Sequence, residues 1–124
     1  MSLTRILNWI LPKPTFKTIS QGEYGGSETP GYQLFKQHNE ILEGILETPY
    51  DFSKSYLVLL SHGTESTGGY VIEATNVYRK GCKLVIQYMT DGPQKGEPVT
   101  DAFSTAYHLI SIPKFNKIEL EPLN

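Results

Sequence analysis

The sequence predicts a mainly β domain, β-sandwich-like or α+β, with mostly antiparallel strands and one short helix around residues 39–46. Three observations lead there. Eight Tyr and five Phe accompany eleven Gly and eight Pro, a mixture that favours strands punctuated by turns over long helices. From Lys83 to Thr90 the chain alternates, with Leu84, Ile86 and Tyr88 on one side and Val85, Gln87 and Met89 on the other, the period of two that marks a strand. The spacers between β-like segments are mostly short, which suits antiparallel neighbours. At 124 residues the chain fits one domain and can bury a core without a disulfide or a metal.

Residues 1–14 read as an N-terminal apolar segment and Pro linker, and residues 15–124 as a single β-rich domain. Arg5 precedes the apolar block Ile6-Leu7-Asn8-Trp9-Ile10-Leu11, which ends at Pro12-Lys13-Pro14. The block is shorter than an export signal's apolar region and has no small-residue cleavage site. The favoured reading is a short helix capping the domain. An interfacial anchor and a trimmed export signal are the alternatives, and membrane contact through this segment is the less favoured. No apolar run approaches the ~18 residues of a membrane span. With no export signal recognised, a cytoplasmic location is the default expectation.

Thr15 to Ser20 reads as a strand, with Phe16 and Ile19 among threonines. Gln21 to Gly31 is a loop punctuated by glycines and Pro30. Between Tyr32 and Glu47 two readings compete. Leu34, Phe35, His38, Ile41, Leu42, Ile45 and Leu46 form one helical stripe, whereas Tyr32 to Phe35 also suits a short strand. A helix over at least Asn39 to Leu46 is favoured, with Ile41, Leu42 and Ile45 packed on a sheet and His38 partly buried. Gly44 weakens it by ~1 kcal/mol relative to Ala, and Thr48-Pro49 ends it. Tyr56 to Leu60 is almost wholly apolar, as in a central strand covered on both faces. Tyr70 to Tyr78 is the next strand, and Arg79-Lys80-Gly81 turns the chain with Gly81 supplying a positive φ. Asp91 to Pro98 is a loop. Tyr107 to Ile112 and Asn116 to Leu120 complete the strands.

The net charge is −2, and the lysines are scattered. The pairs Lys13/Lys17 and Lys114/Lys117 read as solvated strand faces, so no nucleic-acid partner is expected. Cys82 is the single cysteine, which excludes an internal disulfide, and it reads as a bland turn or edge residue. His38, His62 and His108 show no zinc-type spacing, and the glycines between Gly63 and Gly69 lack the Lys-Ser/Thr pair of a phosphate loop. Asp51, Glu65 and Glu73 would act as acids or bases only if the fold brought them together. His62 and His108 read as exposed strand-end residues, with a pair titrating near neutral pH as the alternative. No catalytic residue, metal or cofactor is expected, and the chain is read as a non-enzyme.

The feature singled out is Thr67-Gly68-Gly69-Tyr70. Two glycines before a strand permit a positive φ that bulkier residues adopt only at a cost. Thr67 can bond the turn backbone, and Tyr70 can pack its ring or present its hydroxyl. The turn serves either as structure, with Tyr70 in the core, or as a rigid exposed loop that a protein partner approaches closely. On the second reading Thr67, Gly68, Gly69 and Tyr70 are the partner-binding residues.

Asp51-Phe52-Ser53-Lys54, Thr67-Gly68-Gly69-Tyr70, the Gly/Pro loop ending Pro98-Val99-Thr100, and Tyr107 to Lys114 together resemble the PrcB-like protease-complex family, in its C-terminal domain. The resemblance runs from about Asp51 to Lys114. It implies a non-catalytic protein-interaction domain that stabilises or accompanies a protease, in a family whose members are often exported or lipid-anchored. Ser66 to Tyr70 also looks like the Thr-Thr-Gly-Tyr/Phe loop of chagasin-type cysteine-protease inhibitors, without the preceding Asn-Pro. That likeness implies a loop-based protease inhibitor with an immunoglobulin-like fold.

Overall fold

A computed structural model of the chain describes residues 13–124. The expected helix, anchor or export remnant at residues 1–11 lies outside the described residues. Seven strands and one short helix follow one another: β1 (Lys17–Gly22), β2 (Gly31–Phe35), α1 (Glu40–Glu43), β3 (Tyr56–Ser61), β4 (Val71–Lys80), β5 (Lys83–Asp91), β6 (Tyr107–Ile112) and β7 (Lys117–Pro122). They form two sheets. One has the order β1-β6-β3-β2 and is antiparallel throughout; the other has the order β4-β5-β7, with β5 and β7 parallel. The mainly β, sandwich-like class is therefore the fold. Only β2/β3 and β4/β5 pair as sequence neighbours; the β1–β2 connection spans the four-stranded sheet from edge to edge, and the other three pass from sheet to sheet.

The apolar patterns explain the layers. Val58 and Leu60 of β3 and Ile110 and Ile112 of β6 face Ile72, Ala74, Val77, Leu84 and Ile86 of the second sheet, with Phe115 closing one end. The alternate residues Leu57, Leu59, Tyr107 and Leu109, with Phe35, form a second core on the other face of the four-stranded sheet. Leu42 of α1, with Ile45, Leu46, Tyr50 and Phe52, covers it. β3 and β6 are thus buried on both faces, which is why Tyr56 to Leu60 reads as an unbroken apolar run.

The 34–46 stripe resolves into two elements. Leu34 and Phe35 belong to β2, and the helix is only four residues long. Asn39 caps it, accepting a hydrogen bond from the Ile41 N–H at 2.9 Å. Gly44 stands at its C-terminal cap. Leu42 is fully buried while Ile41 is exposed. His38 is not the partly buried residue expected: it is exposed and its Nε2 lies 3.0 Å from Glu43 Oε1. An element this short buries one side chain well, because a single turn cannot carry a stripe.

Successive connections alternate between the two ends of the sandwich. Residues 23–30, 62–70 and 92–106 lie at one end, where β1, β3 and β5 finish and β2, β4 and β6 begin. Residues 36–55, 81–82 and 113–116 lie at the other.

Candidate functional site

The three connections at the first end are tied into one unit by their backbones. Glu65 and Ser104 exchange both N–H···O bonds at 2.9 Å. The Gly68 N–H donates to the Thr100 carbonyl at 3.0 Å, and the Ser104 hydroxyl to the Thr67 carbonyl at 2.6 Å. The third loop joins through Glu23. Its carbonyl accepts from the Thr105 N–H at 2.8 Å, and its carboxylate from the Gly69 N–H at 2.5 Å. A carboxylate accepting a backbone N–H makes one of the stronger hydrogen bonds in proteins.

Within this unit the Thr67-Gly68-Gly69-Tyr70 turn is chiefly architectural. Gly69 has φ +93°, and a Cβ there would lie 3.2 Å from both Pro93 and Val99. A Cβ on buried Gly68 would lie 3.3 Å from Thr100. The glycines are needed so that loop 92–106 can lie on the turn. Tyr70 packs against the inter-sheet core, its ring 5.1 Å from that of His62. Of the four residues only Gly69 is exposed.

Two of the three loops also expose large apolar side chains. Phe103 is 74% exposed, Tyr24 52% and Val99 39%. Phe103 is the most exposed large hydrophobic side chain of the described residues, and it sits directly before the doubly bonded Ser104. Aromatic side chains are among the residue types that most often anchor protein interfaces. Sequence reasoning missed Phe103; its signal was an isolated aromatic among the polar residues that follow Pro98. Carboxylates dominate this end, at Glu28, Glu65, Asp91, Glu97 and Asp101, with Lys95 as the basic exception.

The histidines behave differently from the expectation of exposed strand ends. His108 is 1% exposed, on the inter-sheet face of β6. The Ala74 N–H donates to its Nδ1 at 2.9 Å, so Nε2 carries the proton and donates to Thr18 Oγ1 at 2.8 Å. His108 therefore joins both sheets as a neutral ring, because its face of β6 is the one the second sheet covers. Burial holds its pKa below the ordinary value of 6.5, only partly opposed by the negative charge of Glu73. His62 is partly buried at the end of β3. Its Nδ1 lacks a hydrogen-bond partner and stands 3.5 Å from Glu65 Oε1. It lines a cleft of about 90 Å³ with Gly31, Ile72 and Tyr88. The two histidines share a face but form no reactive pair, since both nitrogens of His108 are engaged. Asp51 lies at the opposite end from Glu65, so the three carboxylates considered for acid–base work do not converge. Asp51 instead accepts the Ser53 N–H at 2.9 Å, which lowers its pKa. Cys82 is exposed in the β4–β5 turn.

Residues 56–113 match the family described as PrcB C-terminal. This stretch is a PrcB C-terminal-like domain. The match starts with the first residue of β3 and ends one residue after β6. It thus takes in the two central strands of the larger sheet, the Thr67–Tyr70 turn and the Phe103 loop. It leaves out β1, β2, α1 and β7. The match suggests a protease-associated domain. Searches of curated proteins and of solved structures returned no match to the chain.

Proposed function

We propose that this PrcB C-terminal-like domain is a non-catalytic binding module that holds a protein partner, a protease in the first instance, against the loop end of its sandwich. The observation that carries this reading is Phe103, exposed on a loop whose next residue is locked by two backbone bonds and a side-chain bond. A rigid aromatic anchor loses little conformational entropy on binding, and such residues dominate interface energies. Thr67, Gly68, Gly69 and Tyr70 serve as the platform that seats Val99 and the Phe103 loop, with Gly69 alone open to contact. The non-catalytic reading is supported by His108, whose nitrogens are both spent on structure.

A photo-crosslinking residue at position 103 and another at position 82 test the assignment with the partner captured from the source cell. A protease, or a protein bound to one, should crosslink from 103 and not from 82, and Phe103→Ala should abolish its capture. Capture unaffected by Phe103→Ala, or crosslinks from position 82 alone, would move the contact off this end. The inhibitor reading shares the surface. It would be favoured over accompaniment if excess domain slowed a cysteine protease and Phe103→Ala relieved the block.

A further inference from the structure

The end that presents Phe103 is also where negative charge collects. Glu28 lies in the β1–β2 connection, Asp91 closes β5, and Glu97 and Asp101 flank Val99 in the loop that carries Phe103. All four are exposed, and none makes an ion pair among the described residues. Lys95 is the one lysine in the three connections, and they contain no arginine. Glu23 and Glu65 are half-buried and already engaged, Glu23 by the Gly69 N–H and Glu65 beside His62. Four exposed carboxylates against one lysine exceed the net charge of the whole chain, which is −2. The opposite end is mixed, with Glu40, Glu43, Glu47, Asp51 and Glu119 set among its lysines. Among the described residues no three His, Cys, Asp or Glu side chains come together to hold a metal ion. The carboxylates are therefore spread as a surface around the apolar residues.

We propose that the partner is a folded protein whose contact face sets lysines and arginines around an apolar pocket for Phe103; this rests on the reading of the loop end as the partner's seat. Two independent observations select that occupant. The Phe103 ring is 74% exposed, with exposed Val99 in the same loop, and burying it requires an apolar recess that a small cation does not offer. The carboxylates select the sign of the surroundings. They attract a basic face and repel nucleic acids and anionic lipid surfaces. Asp101 stands two residues before Phe103 and Glu97 two before Val99, so charge and apolar surface alternate along one loop. That matches the usual division of an interface into an apolar centre and a polar rim. Rim charges act chiefly on the rate of encounter, whereas a buried anchor governs dissociation.

The test uses the full chain and the purified partner that crosslinks from position 103, with binding rates followed by surface plasmon resonance. Association of the unmodified chain should slow steeply as salt rises from about 20 to 500 mM. Glu28→Gln with Glu97→Gln and Asp101→Asn should slow association at low salt by at least about tenfold and leave dissociation unchanged. Thermal unfolding confirms that this triple variant is folded. Glu40→Gln with Glu43→Gln and Glu47→Gln makes the same change of net charge at the opposite end, and should leave both rates as they are. Lys95→Gln should speed association. Phe103→Ala should act on dissociation instead, to the point of lost capture. An unslowed first triple variant, equal slowing by both triple variants, or salt-independent association would overturn the basic face while leaving Phe103 as the anchor. Full binding after Phe103→Ala, or no crosslink from position 103, would remove the loop end itself and this inference with it. Sedimentation of the chain alone as a dimer that Phe103→Ala dissociates would replace the partner with a second copy.

Discussion

His108 shows how much one residue can hold. A His sits among apolar neighbours of β6 because the bulge in β4 between Ala74 and Asn76 breaks the ladder next to Ala74, whose N–H the ring then satisfies. Replacing His108 with Ala leaves that N–H unpaired and opens a cavity, and should destabilise the domain by about 3 kcal/mol in urea unfolding. The same residue sets a pH dependence. Its pKa is depressed in the folded state, so unfolding favours proton uptake. Its contribution is complete above the unfolded value of about 6.5 and is lost as pH falls through the lower folded value. Urea midpoints should therefore decline below about pH 6.5, and His108→Ala should remove that part of the decline. Gly69 gives a second test at this scale. Gly69→Asn should destabilise by at least about 1–2 kcal/mol, because Pro93 and Val99 crowd a Cβ there. Gly81→Asn should be nearly neutral, since φ is +62° and nothing lies within 4 Å. Thermal unfolding of the two variants compares them directly.

At the scale of elements, α1 depends on its surroundings. Asn39→Ala should cost about 1 kcal/mol by removing the cap, and Leu42→Ala about 3 kcal/mol by emptying the outer core. Both should speed hydrogen exchange in residues 39–46 before it changes in β3. The three-stranded sheet carries a polar ladder on its outer face. The Tyr78 hydroxyl donates to Glu121 at 2.5 Å, and the Gln87 amide to the same carboxylate at 3.2 Å. These bonds, Tyr78's first, lower the Glu121 pKa. Carboxyl NMR should find Glu121 titrating below the ordinary glutamate range, and Tyr78→Phe should move it upward.

The elements were unequally legible in the sequence. Tyr107 to Ile112 is read correctly to the residue, because a fully buried strand between turns leaves few alternatives. Leu34 and Phe35 fit a helical stripe because adjacent apolar residues satisfy strand and helix periods alike. The chain settles there as strand because β3 offers a partner for its backbone. His38 and Ile41 followed the same stripe and proved exposed, since only tertiary contact decides how long a marginal helix runs.

For the whole molecule the separation of the two ends is the feature with most consequence. Phe103→Ala should leave the unfolding midpoint unchanged within about 0.5 kcal/mol, because a ring 74% exposed contributes little to the core. It should nevertheless abolish partner capture. Stability and binding are thus separable at this end.

The sequence by itself determined the β class, the glycine turn, and the faces of β5, since these follow from side-chain period and local φ requirements. The PrcB C-terminal resemblance was also legible, in the order of short motifs. The tertiary structure alone decided that Gly68 and Gly69 seat another loop, that Phe103 is what that loop displays, and that His108 joins two sheets. It alone brought the carboxylates of separate loops to one end, because charge along a chain says nothing of which connections share an end. That is fixed only when strand order and direction are.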